Sequence, residues 1–339
     1  MARNVLVLGG FGFLGSHLVD LLLEDPEQRV HVVDNLSTSP LPLDALLAEI
    51  GPAPNLTWTI ETIDSFAARG NAGDAARWDE IYHLASLVGP AGILPHAGRI
   101  AAPLLNDLMQ VADLALRWGA RLLLVSTSEV YGGGEQGFCS EAMPKIVPAE
   151  ASPRLEYAVG KLAAEISLLN LCRASGLDGL IVRPFNITGP RQSGAGGFVL
   201  PRFLGQALAG EDLTVFGDGS QIRAFTHVRD IVQGLVDAMR RGATGGVYNL
   251  GNPANRCSIL NLAESVREVT GTRSSIRFMD PREIYGPLYA EAHDKYPDAA
   301  KAQRDIAWRP GLGLRETIAE TFRYMSALPV PLLHRLRGF

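Results

Sequence analysis

The sequence predicts an α/β protein organised around a doubly wound parallel sheet, and three observations carry that expectation. Short apolar, β-branched runs alternate with helical patterns, a glycine-rich turn joins the first strand to the first helix, and an acidic residue closes the second strand. Runs that are apolar along their whole length suit strands covered by helices on both faces.

Taken in order, residues 5–8 read as a strand, about 16–24 as a helix and 30–33 as a second strand. Residues 81–84, the helix 100–118 and the strand 122–125 continue the alternation, and a helix at about 155–172 leads into the strand 179–183. After Asn186 the texture changes to a Gly-rich loop at 189–197, shorter elements, and turns such as Gly217-Asp218-Gly219. The expected organisation is a cofactor domain at 1–185, with 225–245 returning to pack on it, and a smaller C-terminal α/β substrate-binding region, mainly 186–330.

In Leu8-Gly9-Gly10-Phe11-Gly12-Phe13-Leu14-Gly15 the glycines fall where a tight turn, a close approach to a pyrophosphate and helix–strand packing all exclude a side chain. The helix N-terminus beyond them offers free N–H groups and a favourable dipole to the phosphates. Asp34 follows 19 residues after Gly15, where a carboxylate accepts both ribose hydroxyls and repels a 2′-phosphate, so NAD is favoured over NADP. Strand, glycines, helix and acid in that order make the sheet Rossmann-type.

With 339 residues, 47% hydrophobic, 20% charged and a net charge of −5, the chain has the balance of a globular enzyme. Nucleic acid and anionic membranes are unsuited as main partners, although a pocket can still be locally basic. Cys139, Cys172 and Cys257 are too widely spaced for a disulfide framework or a zinc site, which fits a reduced, cytoplasmic setting. His17, His83 and His227 have no partners at metal spacing, so no metal is expected. No apolar run approaches the ~20 residues of a membrane span, and the tail 331–339 reads as a frayed or packed terminus.

Tyr157 and Lys161 are four residues apart and share one helical face. A nearby ammonium stabilises a phenolate, so the pair suits base catalysis. Ser126-Thr127-Ser128-Glu129 follows the strand 122–125, at the sheet edge where open α/β folds bind ligands. The plainer reading of those hydroxyls is a Ser/Thr turn.

These motifs resemble, in order, those of the extended short-chain dehydrogenase/reductases: the NAD-dependent nucleotide-sugar epimerases, dehydratases and decarboxylases. The resemblance rests on Gly9 to Gly15, Asp34-Asn35-Leu36-Ser37-Thr38, His83-Leu84-Ala85-Ser86, Ser126 to Gly132, Tyr157 to Lys161 and Arg183 to Arg191. It continues through Val215 to Arg223, Phe225 to Asp230 and Asn249 to Pro253 as far as Pro310. Within the family the chain is most similar to UDP-glucuronate decarboxylases, through Thr127-Ser128-Glu129, Arg183 to Asn186, Ile284-Tyr285-Gly286 and Pro297.

That resemblance implies that Tyr157 removes the C4 hydroxyl proton of a UDP-sugar, Thr127 hydrogen-bonds the C4 oxygen, and Lys161 lowers the Tyr157 pKa and holds the nicotinamide ribose. Asp64, Leu84, Ala85, Ser86 and Pro184 join the glycine turn and the Asp34 loop in the implied NAD set. Asn186, Arg191 and Arg223 would hold the diphosphate, with Val199 and Leu200 near the base. Arginine suits phosphate because its planar fork pairs with two oxygens.

Once C4 is a ketone, the sugar can be reduced on its other face, lose water or lose CO₂. Glu129 counts against a simple 4-epimerase, and Ser128 stands where 4,6-dehydratases have Asp, which leaves decarboxylation ahead, with Glu129 handling protons near C5 and epimerisation and dehydration as alternatives. Decarboxylases place Arg near the substrate carboxylate, and here Lys295 falls there; Leu8 stands where many relatives have Thr. A non-catalytic NAD-binding regulator is the alternative from another class. The helices at 100–118 and 155–172 are apolar on more than one face, and in relatives their equivalents form a homodimer.

Overall fold

The computed structural model describes residues 3–70, 77–132, 137–292 and 294–337. The first half runs β1 (Arg3–Leu8), α1 (Phe13–Leu23), β2 (Gln28–Asp34), α2 (Leu43–Ile50), β3 (Leu56–Ile60), α3 (Ile63–Gly70), β4 (Glu80–His83), α4 (Ala101–Trp118) and β5 (Arg121–Val125). Then follow β6 (Phe138–Cys139), α5 (Pro153–Ser175), β7 (Gly179–Pro184), β8 (Ile187–Thr188), α6 (Val199–Ala209), β9 (Leu213–Phe216), β10 (Ile222–Ala224) and β11 (Thr226–His227). The remainder is α7 (Val228–Arg241), β12 (Val247–Leu250), β13 (Arg256–Ser258), α8 (Ile259–Thr270), β14 (Ile276–Met279), α9 (Arg282–Tyr285), β15 (Tyr296–Pro297), α10 (Ala300–Asp305), α11 (Leu314–Ala327) and α12 (Val330–Arg337).

Seven strands form one sheet in the order β12-β7-β5-β4-β1-β2-β3, and every neighbouring pair is parallel. One face is covered by α1 and α7, through residues such as Leu18, Leu22, Ile231 and Leu235. The other is covered by α3, α4 and α5, through Phe66, Leu108, Val111 and Leu168. Strands buried on both sides need no polar alternation, which is why β1 and β5 are nearly pure apolar runs.

The sheet recruits chain from beyond residue 186: α7 packs on the α1 face and β12 becomes the edge strand beside β7. Gly234 lets α7 sit close, since a Cβ there would lie 2.5 Å from Leu250 Cδ1 and 2.8 Å from Trp308 Nε1. A separate core, with Leu200, Phe203, Val215, Leu262, Val266 and Ile318, joins α6, β9, α8 and α11. The sequence reading lacked α2 and β3; β3 is an edge strand whose half-exposed pattern breaks the apolar signal, with Trp58 and Ile60 facing outward. No helix among the described residues is long and apolar enough to cross a membrane.

Candidate active site

The glycine turn explains how a dinucleotide fits this sheet. Gly9 has φ +82°, and a Cβ on it would lie 2.7 Å from the Ala85 backbone nitrogen; a Cβ on Gly15 would lie 2.0 Å from the Gly9 carbonyl oxygen. Those two glycines bind β1, α1 and β4 tightly together, whereas a Cβ on Gly12 meets nothing nearer than 3.4 Å. The N-terminus of α1 has no side-chain cap and no acid in its first turn, so its amides remain available to an anion.

A cleft of about 760 Å³ opens at the carboxyl ends of β1, β4, β5 and β7. Gly9, Gly12, Phe13, Leu14 and Gly15 form its floor with Leu84, Ala85 and Ser86 from the end of β4, while Ser37 and Thr38 wall one end. Thr127, Ser128, Glu129, Tyr157, Lys161 and Pro184 form the middle, and Asn186, Val199, Leu200 and Arg223 the far wall. Asn186 holds a left-handed backbone, φ 35°, and donates through Nδ2 to the Ala224 carbonyl at 3.3 Å.

Asp34 ends β2 beneath this wall, and its carboxylate accepts from the Phe11 and Leu36 amides at 2.9 and 2.7 Å. Asn35 is exposed and accepts from the Ser37 amide at 3.0 Å. Of the expected contacts, Asp34, Asn35, Asp64, Arg191 and Lys295 are not among the residues that line the cleft, and two of these are engaged elsewhere. Asp64, in the first turn of α3, accepts from Gln110 Nε2 of α4 at 2.5 Å. Arg191 points the other way, to Asp20 at 2.6 Å and Glu49 at 2.7 Å, and a left-handed residue (φ 64°) turns it there. The carboxylates of Asp20 on α1 and Glu49 on α2 hold that guanidinium through charge-assisted hydrogen bonds.

The position of Tyr157 is set by its neighbours in α5. Gly160 packs on α4, where a Cβ would lie 2.8 Å from Ala101 Cα, and Glu156 caps α4 by accepting from the Gly98, Ile100 and Ala101 amides at 2.6, 2.7 and 3.3 Å. Tyr157 is therefore buried beside the Thr127 and Ser86 hydroxyls, both of which hydrogen-bond it. Burial pushes its phenol up to about 12, and the nearby Glu129 carboxylate pushes the same way, against those two hydroxyls. The expected lowering by Lys161 is absent: Lys161 donates to the Val125 carbonyl at 3.1 Å, and burial lowers its own ammonium to about 8. Sharing a helical face is not sufficient when the long side chain has a nearer carbonyl.

Beyond Tyr157 lies a cluster that the sequence showed only in part. Lys295 Nζ donates to Glu129 Oε1 at 2.5 Å, and Arg154 Nη1 lies 3.0 Å from the same oxygen. Burial alone would raise the Glu129 carboxyl, but Lys295 and Arg154 hold it well below the usual carboxylate range. Lys295 reaches the site because it pairs with Arg223 in a β-bridge, and it lies just behind the lining residues. Arg223 also donates to the Ala292 carbonyl at 2.7 Å and to Glu291 at 3.2 Å.

Arg154, Arg202 and Tyr289 line the cleft and escaped the sequence reading. Arg154 is one helical turn before Tyr157, a spacing that could have revealed it. Arg202 lies over the Phe216 ring at 4.0 Å and donates to the Thr214 carbonyl at 2.6 Å. Tyr289 follows the short helix α9, and no local pattern marks it. Among the described residues no group of three or more His, Cys, Asp or Glu is placed to hold a metal ion.

A parallel sheet, a glycine turn under an uncapped helix, and a phenol, an ammonium and a hydroxyl at the strand ends define a dinucleotide-dependent enzyme. The NAD dependent epimerase/dehydratase family matches residues 5–251, and the chain belongs to that family. Its cofactor is NAD. A UDP-glucuronic acid decarboxylase 1 of Danio rerio is 33% identical over 331 residues, 96% of this chain and 73% of the relative. A UDP-N-acetyl-alpha-D-glucosaminuronate decarboxylase of Bacillus cytotoxicus is 30% identical over 332 residues, covering 97% of this chain and 99% of the relative. The structure of a UDP-glucose 4-epimerase from Thermotoga maritima with UDP-glucose superposes with a TM-score of 0.81 at 27% identity, over 96% of this chain and 99% of that one.

Proposed function

We propose that the protein is a UDP-glucuronate decarboxylase, acting on the sugar at C4 and releasing CO₂. The observation that carries this reading is the charge at the sugar end of the cleft. Glu129 is flanked by two cations, Lys295 and Arg154, leaving one positive charge over for a second carboxylate. A neutral hexose brings no carboxylate to that charge, and Glu291, the other acid of the cleft, is paired with Arg223. The two relatives named as decarboxylases of UDP-linked uronic acids support the same choice.

In this reading Asn186 and Arg223 hold the diphosphate, and Val199 and Leu200 lie against the nucleotide base. Thr127 donates to the C4 oxygen, with Ser128 beside it, and Tyr157 takes the C4 hydroxyl proton. Bound NAD supplies the hydride acceptor, a positive charge that favours the Tyr157 phenolate, and later the hydride for reduction. The glycine turn, the Asp34 loop through Ser37 and Thr38, and residues 84–86 hold its adenosine and phosphate half, and Lys161 and Pro184 its nicotinamide end. A C4 ketone makes the C6 carboxylate a β-keto acid, so the C5–C6 bond breaks to CO₂, the electron pair passes into an enolate, and C5 takes up one proton from solvent, while Tyr157 keeps the C4 hydroxyl proton to return when C4 is reduced. Lys295 and Arg154 orient the departing carboxylate. Glu129 stays ionised and keeps both cations in place.

The chain is further assigned to the cytoplasm as a homodimer. Met109 of α4 and Val159 and Ile166 of α5 are apolar and exposed, and these two helices would form the interface.

The test is incubation with NAD⁺ and UDP-glucuronate labelled at C6. Labelled CO₂ with a UDP-pentose or UDP-4-keto-pentose is expected. UDP-galacturonate without labelled CO₂ makes the protein a 4-epimerase and overturns the reading.

A further inference from the structure

The last described helix, α12, lies at the cleft wall through Arg335. Its Leu336 is fully buried in the sheet-side core, and Leu333 packs on the second core formed by α6, α8 and α11. On the cofactor side, Arg335 Nε donates to the Pro40 carbonyl and Nη2 to the Ser39 carbonyl, both at 3.2 Å. On the opposite side, the Leu336 carbonyl accepts from the Gly194 amide at 2.7 Å. The helix thus ties the loop that follows β2 to the loop that follows β8.

Two glycines elsewhere in the chain are matched to this helix. A Cβ on Gly194 would lie 2.6 Å from the Arg337 carbonyl oxygen, and one on Gly205 3.0 Å from Arg337 Cγ. The close seating of α12 therefore depends on small residues in two separate segments, and it is not the frayed end that the sequence allowed. That seating places Arg335 on the cleft wall beside Ser37, Thr38 and Ser39. Among the described residues its guanidinium donates to these two carbonyls, which leave its charge unneutralised.

We propose that α12 is part of the dinucleotide site, with Arg335 supplying a cation to the adenosine ribose–phosphate half of NAD. The loop it braces begins at Asp34, the ribose carboxylate, so one side chain both props that loop and faces the phosphates. A planar guanidinium spends some of its five N–H groups on Ser39 and Pro40 and keeps others for a phosphate oxygen. The inference rests on the family's NAD dependence and is independent of which reaction follows oxidation at C4.

The experiment is NADH titration of the full chain without sugar, followed by quenching of protein fluorescence, at low and high salt. Arg335→Ala and Arg335→Gln should each weaken NADH binding about tenfold at low salt, the size of one charge-assisted hydrogen bond. Arg335→Lys should recover most of the loss, and the difference from the parent should shrink at high salt because the contact is ionic. Binding of Arg335→Ala within twofold of the parent overturns the proposal. So does a loss that salt leaves unchanged, since that is the mark of a loop support alone. If Arg335→Ala fails to fold, the Gln and Lys pair, both hydrogen-bond donors but only one of them charged, decides the matter: equal NADH affinity in the two overturns it. A protein that binds NADH as described but releases no CO₂ refutes only the decarboxylase reading.

Discussion

Replacing Lys295 with Met tests the charge argument directly. Lys295 is 3% exposed, and its Nζ is 2.5 Å from Glu129 Oε1, with Arg154 3.0 Å from the same oxygen. Two cations against one anion leave a surplus of one positive charge, and Lys295→Met removes it. Unit charges ~4 Å apart at an effective dielectric near 20 attract by ~4 kcal/mol. Part of that offsets desolvation of the incoming carboxylate, so we expect a net loss of ~1.5–3 kcal/mol, about ten- to a hundredfold in Kd. The assay is calorimetric titration of the NAD-loaded protein in a Tyr157→Phe background, which stops turnover. UDP-glucuronate should lose that affinity, and UDP-glucose, which lacks only the carboxylate, should lose less than threefold. Equal losses for both sugars, or none for either, would refute the assignment of Lys295 and Arg154 to the sugar acid.

Three further outcomes follow from the same geometry. Tyr157→Phe should lower kcat by a factor of ~10²–10⁴ or more and leave calorimetric binding of UDP nearly unchanged; a variant that turns over normally removes the phenol from the reaction. His83 and His17 are each depressed from 6.5 to about 3, by burial first and then by Lys161 and Arg191 respectively. The folded protein therefore binds fewer protons than the unfolded chain between those values, so this contribution is fully present above pH 6.5 and is lost as the pH falls toward 3. Thermal melting between pH 7 and pH 4 should show that decline, and His83→Gln should flatten it; an equally steep profile in the variant counts against the argument. Sedimentation at micromolar concentration should give a dimer, and Val159→Glu with Ile166→Glu should give a monomer; a monomeric parent removes the α4–α5 interface.

The parallel sheet, its glycine turn, Asp34 and the Tyr157–Lys161 face were all legible in the sequence. Each depends on contacts within a few turns of chain: strand periodicity, the steric demand of a tight turn, and the four-residue repeat of a helix. Membership of the family was legible for the same reason, since its motifs are short, local and ordered along the chain. Charge and long-range pairing were decided only by the tertiary structure. Tyr157 has a raised phenol because burial and then the Glu129 carboxylate act on it, and Lys161 turns to a carbonyl of β5. Glu129 gains its two cations from Arg154 on α5 and from Lys295, 166 residues further along the chain. Arg191 is held away from the cleft by carboxylates of α1 and α2, and Arg335 reaches the Ser39–Pro40 loop from the last helix. A side chain's charge state and direction depend on whichever groups the fold brings within a few ångströms, and spacing along the chain records only those that are already close.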